Sequence, residues 1–257
     1  MNASFRSIAE PRGLLVIAGL LGLWCISGIF AKPGPLSGAS VGAVLHAARE
    51  LVATGTLWDD YTASLERVAA GFAIGAALGL LIGGTLGLSV WLERAIGPLL
   101  TAMRQVPIFG LVPLLALWFG TGESAKLVLV ALGAFYPAAL NTHEALRGVP
   151  ASYREIGRIY RFSQAQMFRI VLLPCAMPGI LTGLKHGLSF AWIAVVGAEF
   201  FLAAAPGLGN LLEAGREQFR MEFILIGIVL IAGTGSLMNT AVTIIERRLL
   251  RWRQSFA

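Results

Sequence analysis

The chain has little of what metalloenzymes and disulfide-rich proteins use for chemistry. Its 257 residues include two cysteines, Cys25 and Cys175, and three histidines. No H-E-x-x-H, C-x-x-C or G-x-x-x-x-G-K-[ST] pattern occurs. Cys25 lies within an apolar run and Cys175 beside a polar stretch, so we expect no disulfide or metal framework between them. The sequence predicts no catalytic residue, no metal site and no cofactor bound by this chain.

Charged residues are also scarce, at 13% of the chain, whereas a soluble domain has about 25%. Hydrophobic residues make up 56%, the mean hydropathy is +0.75, and there are 31 glycines. This composition predicts an all-α, polytopic membrane protein with a single domain, residues 1–257. The formal charge of +6 does not indicate a nucleic-acid partner, because the arginines lie at the ends of apolar segments, as membrane topology requires.

Six apolar segments are close to the length of about 20 residues that crosses a bilayer. They lie between Arg12 and Lys32, between Arg67 and Glu93, from Pro98 through Phe119, from Lys126 to Asn141, from Pro178 to Ala205, and between Glu222 and Glu246. Six spans place both termini on one side. That side carries 13 of the 20 lysines and arginines, the other side carries six, and Lys185 lies within a span. Because the cytoplasmic side of a membrane protein carries the excess of positive charge, the termini are predicted to be cytoplasmic. A cleaved signal peptide is the alternative for the first segment, although its run from Gly13 to Ala31 is long for one.

A polar stretch from Val149 to Pro178 separates the fourth and fifth spans. It lies among closely spaced arginines: Arg147, Arg154, Arg158, Arg161 and Arg169. Because cytoplasmic loops of membrane proteins carry an excess of lysine and arginine, these residues predict a cytoplasmic loop, residues 143–177. Within it, Ser152 with Glu155 and Ser163 with Gln166 match the capping-box pattern, so we predict two short helices, the second ending by Pro174.

The first predicted loop helix is amphipathic. Tyr153, Ile156, Gly157 and Tyr160 fall on one face, and the arginines fall largely on another. A short helix without a core of its own needs a partner to cover its apolar face. The sequence therefore predicts that this helix docks on another protein.

Glycines recur every four residues in the second span. They are Gly71, Gly75, Gly79, Gly83 and Gly87. Such a stripe lets another helix backbone approach closely in lipid, where small residues mark packing faces. The partner helix belongs either to the same subunit or to a second one.

The fifth span carries a polar stripe formed by Lys185, Ser189, Trp192 and Glu199. Lys185 and Glu199 are separated by about 21 Å along a helix, so they cannot neutralise each other. Each requires its own partner or a route to water. The stripe has either a structural role, with Lys185 reaching towards the membrane surface, or a place along a translocation path.

The loop resembles the EAA loop of the permease subunits of ABC importers. Glu155 matches its glutamate, and Leu173 with Pro174 matches its final Leu-Pro pair. Ile156 and Gly157 stand where two alanines are usual, and Arg161 stands at the glycine position. The likeness extends from about Ser64 to the C-terminus: R-Q-V-P at 104–107, V-P-L-L-A-L-W-F-G-T-G-E-S-A-K and the Asn141-Thr142 pair are similar to permeases for aliphatic sulfonates, taurine, nitrate or bicarbonate.

The resemblance implies the six-helix, MetI-like fold of type I importers and a bacterial inner-membrane location. It also implies two ATPase subunits that bind ATP and magnesium, a second permease copy and an extracytoplasmic solute-binding protein. The residues implied in ATPase coupling are Ser152, Tyr153, Arg154, Glu155, Ile156, Gly157, Arg158, Tyr160, Arg161 and Phe162. An ion-coupled secondary transporter is the alternative, although we find no internal repeat and only Glu199 as an acidic residue within a predicted span. A membrane-embedded enzyme would require clustered acids or histidines, which the sequence lacks.

Overall fold

The computed structural model describes residues 40–202 and 206–250, and these residues are helical with short connections. The predicted all-α class is confirmed. The described helices are α1 Val41–Ala53, α2 Thr56–Leu88, α3 Val90–Met103, α4 Val112–Phe119, α5 Glu123–Arg147, α6 Ala151–Ile159, α7 Gln164–Phe201, α8 Leu208–Glu217 and α9 Met221–Leu249. The first predicted span and Cys25 lie outside the described residues.

Among the described residues, four helices are long and apolar enough to cross a membrane: α2, α5, α7 and α9. The predicted third span is not one straight helix. Helix α3 and the segment Ile108–Phe119 are instead bent by 91° at the connection between them. Pro107 explains the break, because it lacks a backbone N–H and disfavours helical geometry at Val106. A 3₁₀ turn, Ile108–Leu111, then leads into α4.

Helix α7 confirms one prediction about the loop and contradicts another. The Ser163–Gln166 capping box is present, with the Gln166 N–H donating to Ser163 Oγ at 3.3 Å and the Ser163 N–H donating to Gln166 Oε1 at 2.8 Å. The helix does not end by Pro174, however, and continues into the fifth span. A wider π-helical turn, Met167–Leu172, directly precedes Pro174. Such a turn changes the hydrogen-bond register, so a proline without an N–H is tolerated there.

The prediction of a Ser152–Glu155 capping box is wrong. Helix α6 begins at Ala151, and its N-cap residue is Pro150, which makes no side-chain cap. Pro150 has φ −55° and ψ 142°, an extended conformation that the pyrrolidine ring favours before a helix begins. Ser152 therefore lies inside the first turn, where its hydroxyl cannot act as the cap.

The described residues form two compact units. The smaller one contains residues 40–58 and 211–230, and its core includes Leu51, Leu211 and Phe223. There the guanidinium of Arg220 donates to Glu50 Oε2 at 3.0 Å, and this contact lowers the pKa of the Glu50 carboxyl. The larger unit contains residues 59–210 and 231–250 of the described chain, and in it α5 packs extensively against α7.

Candidate functional site

The described chain contains a buried cluster of charged residues at the N-terminal end of α5. Arg67 on α2 donates from Nη1 to Glu199 Oε1 on α7 at 2.7 Å. It also donates from Nε and Nη2 to the two carboxylate oxygens of Glu123, at 2.7 and 2.8 Å. Arg67 is 8% exposed and Glu199 is fully buried. One guanidinium thus joins α2, α5 and α7 through charge-assisted hydrogen bonds.

The same cluster holds the backbone that leads into α8. The N–H groups of Gly207, Leu208 and Gly209 donate to Asp60 Oδ1, Ser64 Oγ and Glu199 Oε2, at 2.7, 2.9 and 3.0 Å. The Ser64 hydroxyl lies 2.8 Å from both carboxylate oxygens of Glu199 and donates to this group. These contacts satisfy N–H groups that the start of a helix leaves without intrahelical partners.

Lys126 completes the cluster. Its side chain is 1% exposed, and Nζ lies 3.5 Å from Glu123 Oε1. Arg67 and Lys126 mark the ends of two predicted spans, whereas both lie within helices and are buried. The sequence contained a signal for this site, because Ser64, Arg67 and Gly71 are spaced three and four residues apart and therefore share one face of the helix. Ser64 and Glu199 are both fully buried, so the hydroxyl is closed to any substrate, and the geometry of the cluster suits structural positioning.

The structure divides the polar stripe of the fifth span. Lys185, Ser189 and Trp192 line a cavity of about 180 Å³, which residues 235–242 of α9 close from the other side. Lys185 Nζ lies 3.8 Å from Glu246 Oε2, and Trp192 Nε1 donates to the Ile231 carbonyl at 3.1 Å. Glu199 does not line this cavity and belongs to the charge cluster. The four residues therefore do not form one continuous site.

The glycine stripe packs against α5 of the same chain. A Cβ added at Gly79 would lie 2.7 Å from Ala138 Cβ and 2.8 Å from the Phe135 carbonyl oxygen. Similar close approaches occur along the whole stripe, at Gly71, Gly75, Gly83 and Gly87. The backbones of α2 and α5 can come this close only because the glycines have no side chain.

The loop helix α6 is attached to its neighbours at its less exposed side. Arg154 Nη2 donates to the Leu146 carbonyl at 2.8 Å, which satisfies one of the last carbonyls of α5. Gly157 is buried, and an added Cβ would lie 2.5 Å from Met167 Cε on α7. These contacts hold α6 against the ends of two long helices.

The end of α6 has the geometry that the family's glycine would supply. Arg161 adopts φ 53°, its N–H donates to the Arg158 carbonyl at 2.9 Å, and the Phe162 N–H donates to the Gly157 carbonyl at 2.9 Å. This is a Schellman motif with arginine at the left-handed position, where glycine is preferred. The turn is formed despite the departure from the family pattern.

The rest of the surface of α6, including the predicted apolar face apart from Gly157, is open. Tyr153, Ile156 and Tyr160 are 51%, 49% and 71% exposed, and Ile159 is 78% exposed. Ser152, Glu155, Arg158 and Arg161 are also exposed. Within residues 40–202 and 206–250, Glu155 has no hydrogen bond or ion pair. A nine-residue helix thus presents large apolar side chains and a free carboxylate next to one another.

Comparison with known proteins shows the family. Residues 75–251 match the family described as binding-protein-dependent transport system inner membrane component. The chain belongs to this family and is a permease of the ABC importer class, not an ion-coupled secondary transporter. Its role is transport.

Relatives named for sulfonate, taurine and bicarbonate transport match most of the chain. The chain is 36% identical over 246 residues to a Bacillus subtilis protein named as an aliphatic sulfonates transport permease, SsuC, covering 95% of this chain and 88% of the relative. It is 33% identical over 197 residues to the Escherichia coli taurine transport system permease TauC, covering 77% and 71%. It is 30% identical over 254 residues to the bicarbonate transport system permease CmpB of Synechococcus elongatus, covering 93% and 90%.

Solved structures agree on the fold. A crystal structure of an amino acid ABC transporter with histidines matches with a TM-score of 0.65 at 16% identity, covering 78% of this chain and 97% of the other. A MetNI methionine ABC transporter in an inward-facing conformation matches with a TM-score of 0.55 at 20% identity, covering 72% and 93%. The MetI-like permease fold is therefore confirmed, although the described residues do not provide all six predicted spans.

Proposed function

We propose that this permease carries a small anion, with an aliphatic sulfonate as the first candidate. We also propose that α6 transmits the movement of the ATPase subunits to the membrane spans of the permease. The observation that carries the coupling role is the exposed face of α6. Large apolar side chains on the surface of a short helix are typical of a helix that docks in a partner's groove. Because α6 is attached to α5 through Arg154 and to α7 through Gly157, a push on α6 is delivered to both helices.

The proposed assembly contains two copies of this permease, two ATPase subunits and an extracytoplasmic binding protein. ATP and magnesium bind the ATPase subunits. The complex lies in the bacterial inner membrane with the permease termini and loop 143–177 on the cytoplasmic side, which the arginine distribution favours. Nucleotide binding then biases two arrangements of the spans through α6, as coupling between distant sites requires.

The class of solute rests on the relatives. Proteins named for aliphatic sulfonate, taurine and bicarbonate transport align with most of this chain. Bicarbonate and simple alkanesulfonates are small anions, taurine is a zwitterion that carries a sulfonate group, and two of the three solute classes are therefore sulfonates. We therefore place aliphatic sulfonates before nitrate and bicarbonate.

The test of coupling compares Glu155→Ala with Ser152→Ala, two exposed positions in the same helix. Both variants should fold, because neither side chain has a partner in the described chain. A contact of Glu155 with a cation on the ATPase would contribute roughly 2 to 5 kcal/mol to association. We expect Glu155→Ala to leave the permease abundant in membranes while ATPase co-purification and sulfonate uptake both fall. Ser152→Ala should leave both measurements close to wild type.

Equal, small effects of the two substitutions would contradict a role for Glu155. A substitution on the apolar face, Tyr160→Ala, then tests the helix itself. If ATPase retention survives this change as well, α6 is not the coupling element. Uptake by the wild-type complex in proteoliposomes, measured for ethanesulfonate, nitrate and bicarbonate, tests the solute class independently of coupling.

A further inference from the structure

A cavity of about 440 Å³ lies where the bent pair of α3 and Ile108–Phe119 meets α5 and α7. Its walls include the break itself, Arg104 to Ile108, and mid-helix residues of α5 and α7. The volume falls in the range of about 300–1,000 Å³ typical of small-molecule pockets. Within a membrane protein, non-helical backbone occurs where it is buried in protein or lines a water-filled cavity.

The cavity extends along α5 from the middle of this helix towards its C-terminal end. It begins at Leu132, nine residues or about 14 Å from Glu123, and extends to Glu144. The charge cluster at Glu123 is therefore separate from it. The cavity is also distinct from the smaller one that contains Lys185, Ser189 and Trp192.

Hydrogen-bond donors dominate the polar part of the lining. Arg104, Gln105, Tyr136, Asn141 and His186 can all donate, and Glu144 is the one carboxylate in the lining. No ion pair involves Arg104 or Glu144 in the described chain. The Asn141 amide uses one N–H, which donates to the Pro137 carbonyl at 2.8 Å. Arg104 is exposed at the helix break, so its guanidinium is free to contact water or a ligand anion.

Apolar side chains form the rest of the wall. Ile108, Leu111, Leu132 and Phe190 line the same cavity as the polar groups. An oxyanion with a short hydrocarbon tail would satisfy both parts, because a guanidinium matches the oxygens of a sulfonate through paired hydrogen bonds.

We propose that this cavity is the solute site of the permease and that it takes a short-chain alkanesulfonate, with Arg104 as its oxyanion contact. The proposal rests on the proposed function for the class of solute. It replaces the predicted path of Lys185, Ser189, Trp192 and Glu199 with the cavity at residues 104–108. Inorganic oxyanions such as nitrate would contact Arg104 without using the apolar wall.

The test uses the purified complex of permease and ATPase subunits with Cys25→Ser and Cys175→Ser. Phe190→Cys places a thiol in the cavity, and Ile193→Cys is the matched control on the same helix. The native side chains are similarly exposed, at 49% and 52%, but Ile193 lines the other cavity. The rate of modification by N-ethylmaleimide is measured with ethanesulfonate, nitrate or equal concentrations of sodium chloride.

We expect ethanesulfonate to slow modification of Phe190→Cys and to leave Ile193→Cys unchanged. Adding Arg104→Gln should raise the ethanesulfonate concentration needed for half-protection by roughly tenfold, the loss expected for one charge-assisted hydrogen bond. Arg94→Gln, the same substitution at an exposed position of α3, should have no such effect. Nitrate should protect less than ethanesulfonate.

Protection no greater than that by sodium chloride would overturn the proposal, as would equal protection of Ile193→Cys. Half-protection that does not respond to Arg104→Gln would remove Arg104 as the contact. The proposed function is judged separately by ATP-driven uptake of ethanesulfonate into proteoliposomes. Protection can therefore fail in a complex that transports, and transport can fail in a complex whose cavity is protected.

Discussion

The charge cluster and the loop helix lie at opposite ends of α5, about 36 Å apart along its length. One end buries charged side chains, and the other exposes apolar ones. At one end Arg67 and Glu199 are buried and find their partners within the chain. At the other end Tyr160 and Ile159 are apolar and exposed. The cluster thus contributes to the chain's own structure, whereas the exposed face of the loop helix is the surface that we propose for the ATPase.

This difference has a physical basis. A buried charge costs several kcal/mol of desolvation, so it persists only with partners of good geometry. A single exposed apolar side chain costs little free energy. When a partner covers several of them at once, their removal from water contributes favourable free energy to association. Substitutions at the two ends should therefore fail differently: one end should lose folded protein, and the other should lose association.

The largest effect is expected for Arg67→Met, which leaves Glu199 buried without its cation. Breaking a buried pair in this way destabilises by roughly 3 to 5 kcal/mol. We expect a large loss of detergent-stable permease, measured by size-exclusion chromatography with a fluorescent fusion. Glu123→Gln is the control, because Glu123 is 52% exposed and its substitution should be much milder. Wild-type yield of Arg67→Met would show that the cluster is dispensable for folding.

The next largest effect is expected for Gly79→Leu, at the contact of α2 and α5 between the two ends. Its added atoms would meet Ala138 and the Phe135 carbonyl, and overpacking costs about 1 to 3 kcal/mol. We expect a lower thermal midpoint and less assembled complex. Gly84→Leu offers a control on the same helix, because an added Cβ there meets nothing within 4 Å. Equal behaviour of the two variants would contradict the packing of the stripe on α5.

Tyr160→Ala should have a smaller effect and one of another kind. Loss of an exposed aromatic anchor at an interface typically costs about 2 kcal/mol of binding. We expect roughly tenfold to thirtyfold weaker ATPase retention, measured by co-purification over a range of ATPase concentrations. The thermal midpoint of the isolated permease should not change, since Tyr160 is 71% exposed. A fall in that midpoint would place Tyr160 with the structural residues and weaken the comparison.

The smallest effect is expected for Arg161→Gly, and it is stabilising. Arginine at φ 53° carries strain that glycine relieves, and the left-handed conformation costs an ordinary residue about 1 to 2 kcal/mol. Greater backbone freedom of glycine in the unfolded state offsets part of this gain. We expect a small rise in the thermal midpoint, with Arg158→Gly, at a helical position, giving a small fall. A fall for both variants would mean that the Arg161 side chain contributes more than its backbone conformation costs.

The second and fourth helices illustrate how far local pattern reaches. Glycine spacing predicted a packing face on α2, because a four-residue repeat places side chains on one side of any helix. The identity of the partner helix was open, because the repeat is the same whether the neighbour is in the same chain or another. Likewise, Pro107 was visible in the sequence, but an apolar stretch of sufficient length was still predicted as one span.

The charge cluster was missed for a related reason. Arg67, Glu123, Lys126 and Glu199 are distant in sequence, and a charge at the end of an apolar run is usually a sign of the membrane boundary. In the loop, Ser152 and Glu155 fitted a capping pattern, but the N-cap residue is Pro150 and the helix begins at Ala151, two residues earlier than that pattern requires. The Ser163–Gln166 box was predicted correctly because no competing start signal precedes it.

The sequence by itself determined the all-α class, the membrane-spanning character of most long helices and the resemblance to importer permeases. These follow from composition, periodicity and local motifs, each of which acts within a few turns of helix. Only the tertiary structure decided that Arg67 meets Glu199, that the glycine stripe contacts α5 and that Arg104 opens into a cavity. The physical reason is that burial and pairing depend on residues that are far apart along the chain, and packing alone brings them together.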